Sequence, residues 1–186
     1  MRGLLTILAT ALSAAASQPP GQQSWCRQDV LKEGLVPQLI VPIDISKPNI
    51  HYGPSKNGTA GGKISSVFNF DIPTSAANKT CAISFLFPNE TQIDPSAFVY
   101  SGREHKFRFT LLEGAAMANS TYGSAPRSKM KLAEKELPVG DDKMIEAIDC
   151  PAGEIIGIWW EAMYDSYLSF VQDSAPCPIG LYVDID

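Results

Sequence analysis

An all-β fold, a single antiparallel β-sandwich of about eight strands closed by disulfides, is predicted by three observations. Apolar and polar residues alternate with a period of two in several short segments, Pro, Gly and Asn turns separate those segments, and only one stretch carries helix-forming residues in any density.

Taken in order, Val36 to Ile43 reads as an edge segment, because Pro37 and Pro42 would break a helix and cannot donate to a central ladder. A turn-rich stretch follows from Asp44 to Gly62. Ile64, Phe68, Phe70 and Ile72 alternate with Ser65, Asn69 and Asp71, the pattern of a strand with one wet face, and Pro73 ends it. Cys81, Ile83, Phe85 and Phe87 repeat the pattern up to Pro88, with Ala82 and Leu86 suggesting burial on both faces. Phe107, Phe109 and Leu111, separated by Arg108 and Thr110, make a third clear strand. Phe98 to Ser101, Lys143 to Ile148, Glu154 to Met163, Tyr167 to Gln172 and Ile179 to Ile185 are further strands by the same reasoning. Ser128 to Leu137 is predicted as a short helix, closed by Pro138.

The N-terminus carries an address. Arg2 supplies a positive start, Leu4 to Leu12 an apolar run, and Ala14 to Ala16 the small side chains of a cleavage site, so residues 1–16 read as a secretory signal peptide. The apolar run is far short of the ~20 residues that cross a bilayer, and nothing later approaches that length. Residues 17–35, opening with Gln, Pro and Gly, read as a mobile mature N-terminus, and residues 36–186 as one domain. The expected location is secreted, extracellular or in a cell wall.

The chain has 186 residues, of which 45% are apolar, enough for one core. It carries 15 Lys and Arg against 20 Asp and Glu, a net charge of −5. That acidity, with no Lys/Arg run to interrupt it, argues against a nucleic-acid partner. Cys26, Cys81, Cys150 and Cys177 lack zinc-site spacing, and in an exported chain they read as two disulfides. Three pairings are open. Cys81 and Cys150 flank strong strands while Cys26 and Cys177 lie near the two ends, which favours Cys81–Cys150 and Cys26–Cys177. Four N-x-[ST] sequons, at Asn57, Asn78, Asn89 and Asn119, all lie in turn-like stretches suited to glycans.

Several segments occur together in order: Ser65-Ser66-Val67-Phe68-Asn69-Phe70-Asp71-Ile72-Pro73, Lys79-Thr80-Cys81 leading to Phe85-Leu86-Phe87-Pro88, Cys150-Pro151-Ala152-Gly153, and Gln172-Asp173 followed by Pro178-Ile179-Gly180-Leu181-Tyr182. In these the chain resembles the C-terminal domain of fungal But2 proteins, a family labelled ubiquitin-3-binding, over about Pro37 to Asp184. The resemblance implies a fungal source, a β-rich fold and a Cys81–Cys150 disulfide. The family name comes from an interaction with the activating enzyme of a ubiquitin-like modifier. That partner is intracellular and is not expected for a chain with an export leader and oxidisable cysteines. Val171 stands where the family tends to place an aromatic, and Cys177 interrupts its usual proline-rich approach to Ile179, which fits an additional bridge to Cys26.

No cofactor, metal or catalytic set is expected. His51 and His105 have no metal-ligand partner at suitable spacing and read as surface residues, and no G-x-S-x-G elbow is present. Asp71, Glu113, Glu161, Asp165 and Asp173 lie near strand ends, where a pair of acids could serve a glycosidase but more usually fixes turns. Asp184 and Asp186 read as a solvated chain end rather than a calcium site. Trp159 and Trp160 point to opposite faces of a strand, so a sheet with one wet face would expose one of them. With Tyr164 and Tyr167 they are the candidate aromatic platform for a sugar ring. The expected function is therefore a non-catalytic extracellular glycoprotein that binds cell-wall polysaccharide or an extracellular protein. A host-directed effector or elicitor, and an unrecognised hydrolase, are the alternatives.

Overall fold

A computed structural model describes residues 34–173 and 177–186. The leader, Trp25, Cys26 and the rest of the N-terminal segment lie outside the described residues. Eleven strands follow one another: β1 (Leu39–Asp44), β2 (Asn57–Ala60), β3 (Ile64–Asp71), β4 (Thr80–Leu86), β5 (Phe98–Ser101), β6 (Lys106–Leu112), β7 (Ser128–Glu136), β8 (Lys143–Asp149), β9 (Ile155–Ala162), β10 (Tyr167–Val171) and β11 (Gly180–Ile185). The sole helical elements among the described residues are two 3₁₀ turns, Thr74–Ala76 and Pro95–Ala97. The predicted all-β class holds, with antiparallel pairing throughout.

One five-stranded sheet runs β1-β3-β9-β6-β7, and opposite it lie two three-stranded sheets, β2-β10-β5 and β11-β4-β8. The main core fills the space between. Phe68 and Phe70 of β3, Phe107 and Phe109 of β6, and Ile156, Ile158 and Trp160 of β9 come from the large sheet. Ile83 and Phe85 of β4, Leu168 and Phe170 of β10, and Leu181 and Val183 of β11 meet them from the other side. This is the alternation read from the sequence made physical: each inward set occupies every second position, and burying it is the main force holding the layers together.

Ser128–Glu136 is a strand and not the helix expected from its Lys, Met, Leu, Ala and Glu content. Intrinsic helix preference differs by only a few tenths of a kcal/mol per residue, and pairing with β6 along the sheet edge outweighs it. The register with β6 shifts twice, between Phe109 and Thr110 and between Leu111 and Leu112. Such bulges break the clean alternation that would have marked a strand. The turn-rich reading of residues 44–62 also missed β2, a four-residue strand whose Asn57-Gly58-Thr59 looks like a turn. Gly58 is required there by packing, since a Cβ would lie 2.6 Å from the Phe170 ring and 2.7 Å from Phe68. Leu35 exchanges two backbone hydrogen bonds with Val183 at 2.7 and 3.1 Å, which ties it to β11.

Cys81 and Cys150 form a disulfide with a Cα separation of 4.9 Å, joining the ends of neighbouring strands β4 and β8. Cys177 is buried and is not a free thiol. The expected pairing of Cys177 with Cys26 falls on a residue outside the described set.

Candidate functional site

The outer face of the large sheet is not simply solvated. Val41, Ile43, Val67 and Leu112 form a second apolar cluster there, together with Ala116 and the packed side chain of Trp159. The long β6–β7 connection, residues 113–127, folds back over this face. Two features let it sit so close. Asn69, on β3, accepts a hydrogen bond from Ala116 N–H at 3.0 Å and donates from Nδ2 to Ala116 C=O at 2.7 Å, as a neighbouring strand would. Gly157 on β9 leaves room, because a Cβ would lie 2.6 Å from the backbone oxygen of Gly114. The tip is tied again where Gly123 N–H donates to Pro48 C=O at 2.8 Å.

Asn69→Ala would leave a buried N–H and C=O of Ala116 without partners, each costing about 1–3 kcal/mol if no rearrangement relieves it. The expected result is a loss of roughly 2 kcal/mol or more in urea unfolding, with faster proteolytic cleavage within residues 113–127 than in the unmodified protein.

Between this connection and the sheet lies an open groove of about 630 Å³, whose lining includes Trp159, Tyr122, Arg108, Arg127, Lys131, Glu134 and Glu161. Trp159 is half-buried, and its Nε1–H donates to Ser65 Oγ at 2.8 Å, so the polar end of the indole is satisfied and its orientation fixed. Tyr122, 47% exposed, meets it edge to face with ring centroids 6.1 Å apart. A row of charges crosses the sheet next to the aromatic pair: Glu161 on β9, Arg108 on β6 and Glu134 on β7 are register neighbours. Arg108 Nε and Lys131 Nζ both contact Glu134 Oε1, at 3.1 and 2.8 Å. These hydrogen bonds, that of Lys131 first, hold the Glu134 carboxyl below the usual glutamate range. Burial pushes Glu161 the other way, raising its pKa against the opposing pull of Arg108.

The aromatic platform expected from the sequence is therefore redrawn. Trp159 and Trp160 do face opposite ways, but Trp160 is 0% exposed, and its ring lies 5.2 Å from Phe107, 5.4 Å from Phe170 and 5.9 Å from Phe85. It cannot touch a ligand without unpacking the core. Tyr164, 75% exposed, occupies a turn with φ 58°, and Tyr167 sits on β10 in a different sheet against Gly61. Neither lines the groove. The partner of Trp159 is Tyr122, which no periodic pattern marks because it belongs to an irregular connection.

Among the acids considered from the sequence, Glu161 alone lines the groove. Asp165 accepts hydrogen bonds from the backbone N–H of Arg103 and Glu104 and pairs with the Arg103 side chain, fixing the β5–β6 turn. Asp173 accepts from the buried Tyr182 hydroxyl at 2.6 Å; burial first, and then this bond, push the phenol pKa far up. Asp71 and Glu113 are exposed. His51 is exposed, whereas His105 stacks on Tyr100 with ring centroids 4.2 Å apart. Asp184 and Asp186 end the last strand region, and no group of His, Cys, Asp and Glu among the described residues is arranged to hold a metal ion. The sequon residues Asn57, Asn78, Asn89 and Asn119 are all exposed, and Asn119 lies on the connection that walls the groove. No described helix is long and apolar enough to cross a membrane.

A search of curated proteins finds no match. The family described as "Ubiquitin 3 binding protein But2 C-terminal domain" matches residues 35–176, a span that includes the Cys81–Cys150 disulfide, strands β1 to β10 and the 113–127 connection and ends before Pro178–Tyr182 and β11. The chain belongs to the But2 C-terminal domain family.

Proposed function

We propose that this protein is an extracellular glycoprotein that binds polysaccharide in the groove over Trp159 and acts by binding rather than turnover. The observation that carries the reading is the pairing of Trp159 and Tyr122 in an open groove rimmed by hydrogen-bonding side chains. A pyranose presents a face of C–H groups to an aromatic ring and a rim of hydroxyls to polar groups, and this site supplies both. The bond from Trp159 Nε1 to Ser65 holds the indole in place before any ligand arrives, which lowers the ordering cost of binding. The leader-like N-terminus, the disulfide and the exposed sequons support an oxidising, extracellular setting. Non-catalytic action is supported by the commitment of Asp165 and Asp173 to turns and hydroxyls, and by the two cations that hold Glu134.

Purified protein should sediment with at least one insoluble wall polysaccharide, and Trp159→Ala should reduce the bound fraction by tenfold or more at unchanged stability of the main core. Stacking on an aromatic ring contributes about 0.5–1.5 kcal/mol beyond the area buried, and losing both terms accounts for that factor. Binding that survives Trp159→Ala, or no binding to any wall polysaccharide, would remove this reading.

A further inference from the structure

The charge of the groove runs against that of the chain. The whole protein carries a net −5, yet three cations, Arg108, Arg127 and Lys131, line the groove against two carboxylates, Glu134 and Glu161. One of those carboxylates is already shared, because a single oxygen of Glu134 takes both Arg108 Nε and Lys131 Nζ. Arg108 spends only its Nε–H there, and its two Nη groups make no hydrogen bond among the described residues. Arg127 is exposed and has no ion-pair partner among the described residues. The second carboxylate, Glu161, is the register neighbour of Arg108, and burial raises its pKa against the pull of that guanidinium.

We propose that the sugar taken by this groove is an acidic one, a pyranose bearing a carboxylate, with its ring face on Trp159 and its carboxylate on Arg108 and Arg127. This rests on the saccharide reading given above and names its ligand class. Trp159 is the register partner of Thr110, and Arg108 stands two residues along β6 on the same face. Two residues of strand span about 7 Å, a distance over which one pyranose and its exocyclic carboxylate extend from aromatic ring to guanidinium. A guanidinium presents its N–H donors in the planar fork that a carboxylate accepts, so the match is geometric as well as electrostatic. A neutral sugar would cover the Nη groups of Arg108 without replacing their water, at a cost in affinity.

The test is calorimetric titration of the purified protein with three probes of equal length: an oligogalacturonate, its methyl ester and a neutral β-glucan oligomer. The free acid should bind about tenfold or more tightly than its ester, since a hydrogen bond to a charged group is worth that much. Arg127→Gln, at an exposed position that leaves the fold intact, and Arg108→Gln should each weaken binding of the acid more than binding of the ester, removing most of that preference. Glu161→Gln should strengthen binding of the acid and not of the ester. Equal affinity for acid and ester, or an acid preference untouched by both arginine variants, would overturn the proposal. So would equal competition by polyglutamate of matched charge, which would show that the carboxylate and not the sugar is read. If the neutral oligomer binds through Trp159 while the acid does not, the acidic ligand is wrong and the saccharide groove stands. If no oligomer binds, both are wrong.

Discussion

Trp160→Ala is expected to lower the free energy of unfolding by about 3–5 kcal/mol, the range for deleting a large buried aromatic side chain. Trp160 sits where the two layers meet, against Phe68 and Phe107 from its own sheet and Phe85 and Phe170 from the opposite one. Its removal opens a cavity between strands held in register by their own hydrogen bonds, which limits collapse around the space. A domain of this size typically has 5–15 kcal/mol in total, so the change would consume a large share of it. The Trp160 Nε1–H is buried with no hydrogen-bond partner among the described residues. Trp160→Phe discards that unsatisfied donor along with part of the ring, so it should cost clearly less than Trp160→Ala. Urea unfolding with an unchanged slope is the measurement, and a loss under about 1 kcal/mol for Trp160→Ala would contradict the placement of this indole at the centre of the core.

Removing the Cys81–Cys150 bridge is the second large effect. It joins residues separated by 69 positions, and the loop-closure model assigns about 4 kcal/mol to a crosslink of that length. The location adds to the consequence. β8 is an edge strand whose sheet pairing is with β4 alone, and Cys150 N–H continues that ladder by donating to Lys79 C=O at 3.0 Å. In the double variant Cys81→Ala, Cys150→Ala, the amides of Lys143–Asp149 should lose hydrogen-exchange protection first, ahead of β3 and β9 in the centre of the large sheet. Global stability should fall by 2–5 kcal/mol. Equal exchange in all three strands, with stability unchanged, would show that the bridge contributes nothing to holding the edge.

The contrast between the two adjacent tryptophans also shows what could be read before the structure was seen. That neighbours on β9 face opposite ways follows from the two-residue period alone, and the strands carrying Phe68, Phe85 and Phe107 were legible for the same reason. Which indole faces inward depends on the layer that lies opposite β9, and that is a matter of tertiary order. Tyr122 was out of reach because it comes from an irregular connection held by Asn69 and Gly157, two residues that look ordinary in a strand. The cations of the groove were hidden in a different way. Lys131 and Glu134 line up with Arg108 only if residues 128–136 form an edge strand, and their composition reads as helix. Glu161 was visible as an acid near a strand end, but its neighbours were not. The same limits apply to β2, too short and too rich in turn residues to register as a strand.

Trp159 as the ligand-bearing ring is the claim on which the functional account rests, and the indole N–H signals test it most directly. The chain has three tryptophans, so a ¹⁵N-labelled sample gives three such resonances, assignable by Trp159→Phe and Trp160→Phe. Titrated with the oligogalacturonate and the neutral β-glucan oligomer, the Trp159 signal should move with saturating dependence for the bound oligomer, while that of Trp160, sealed between the layers, stays in place. Saccharide binding that leaves the Trp159 resonance unmoved, or no movement with any oligomer, would contradict the account.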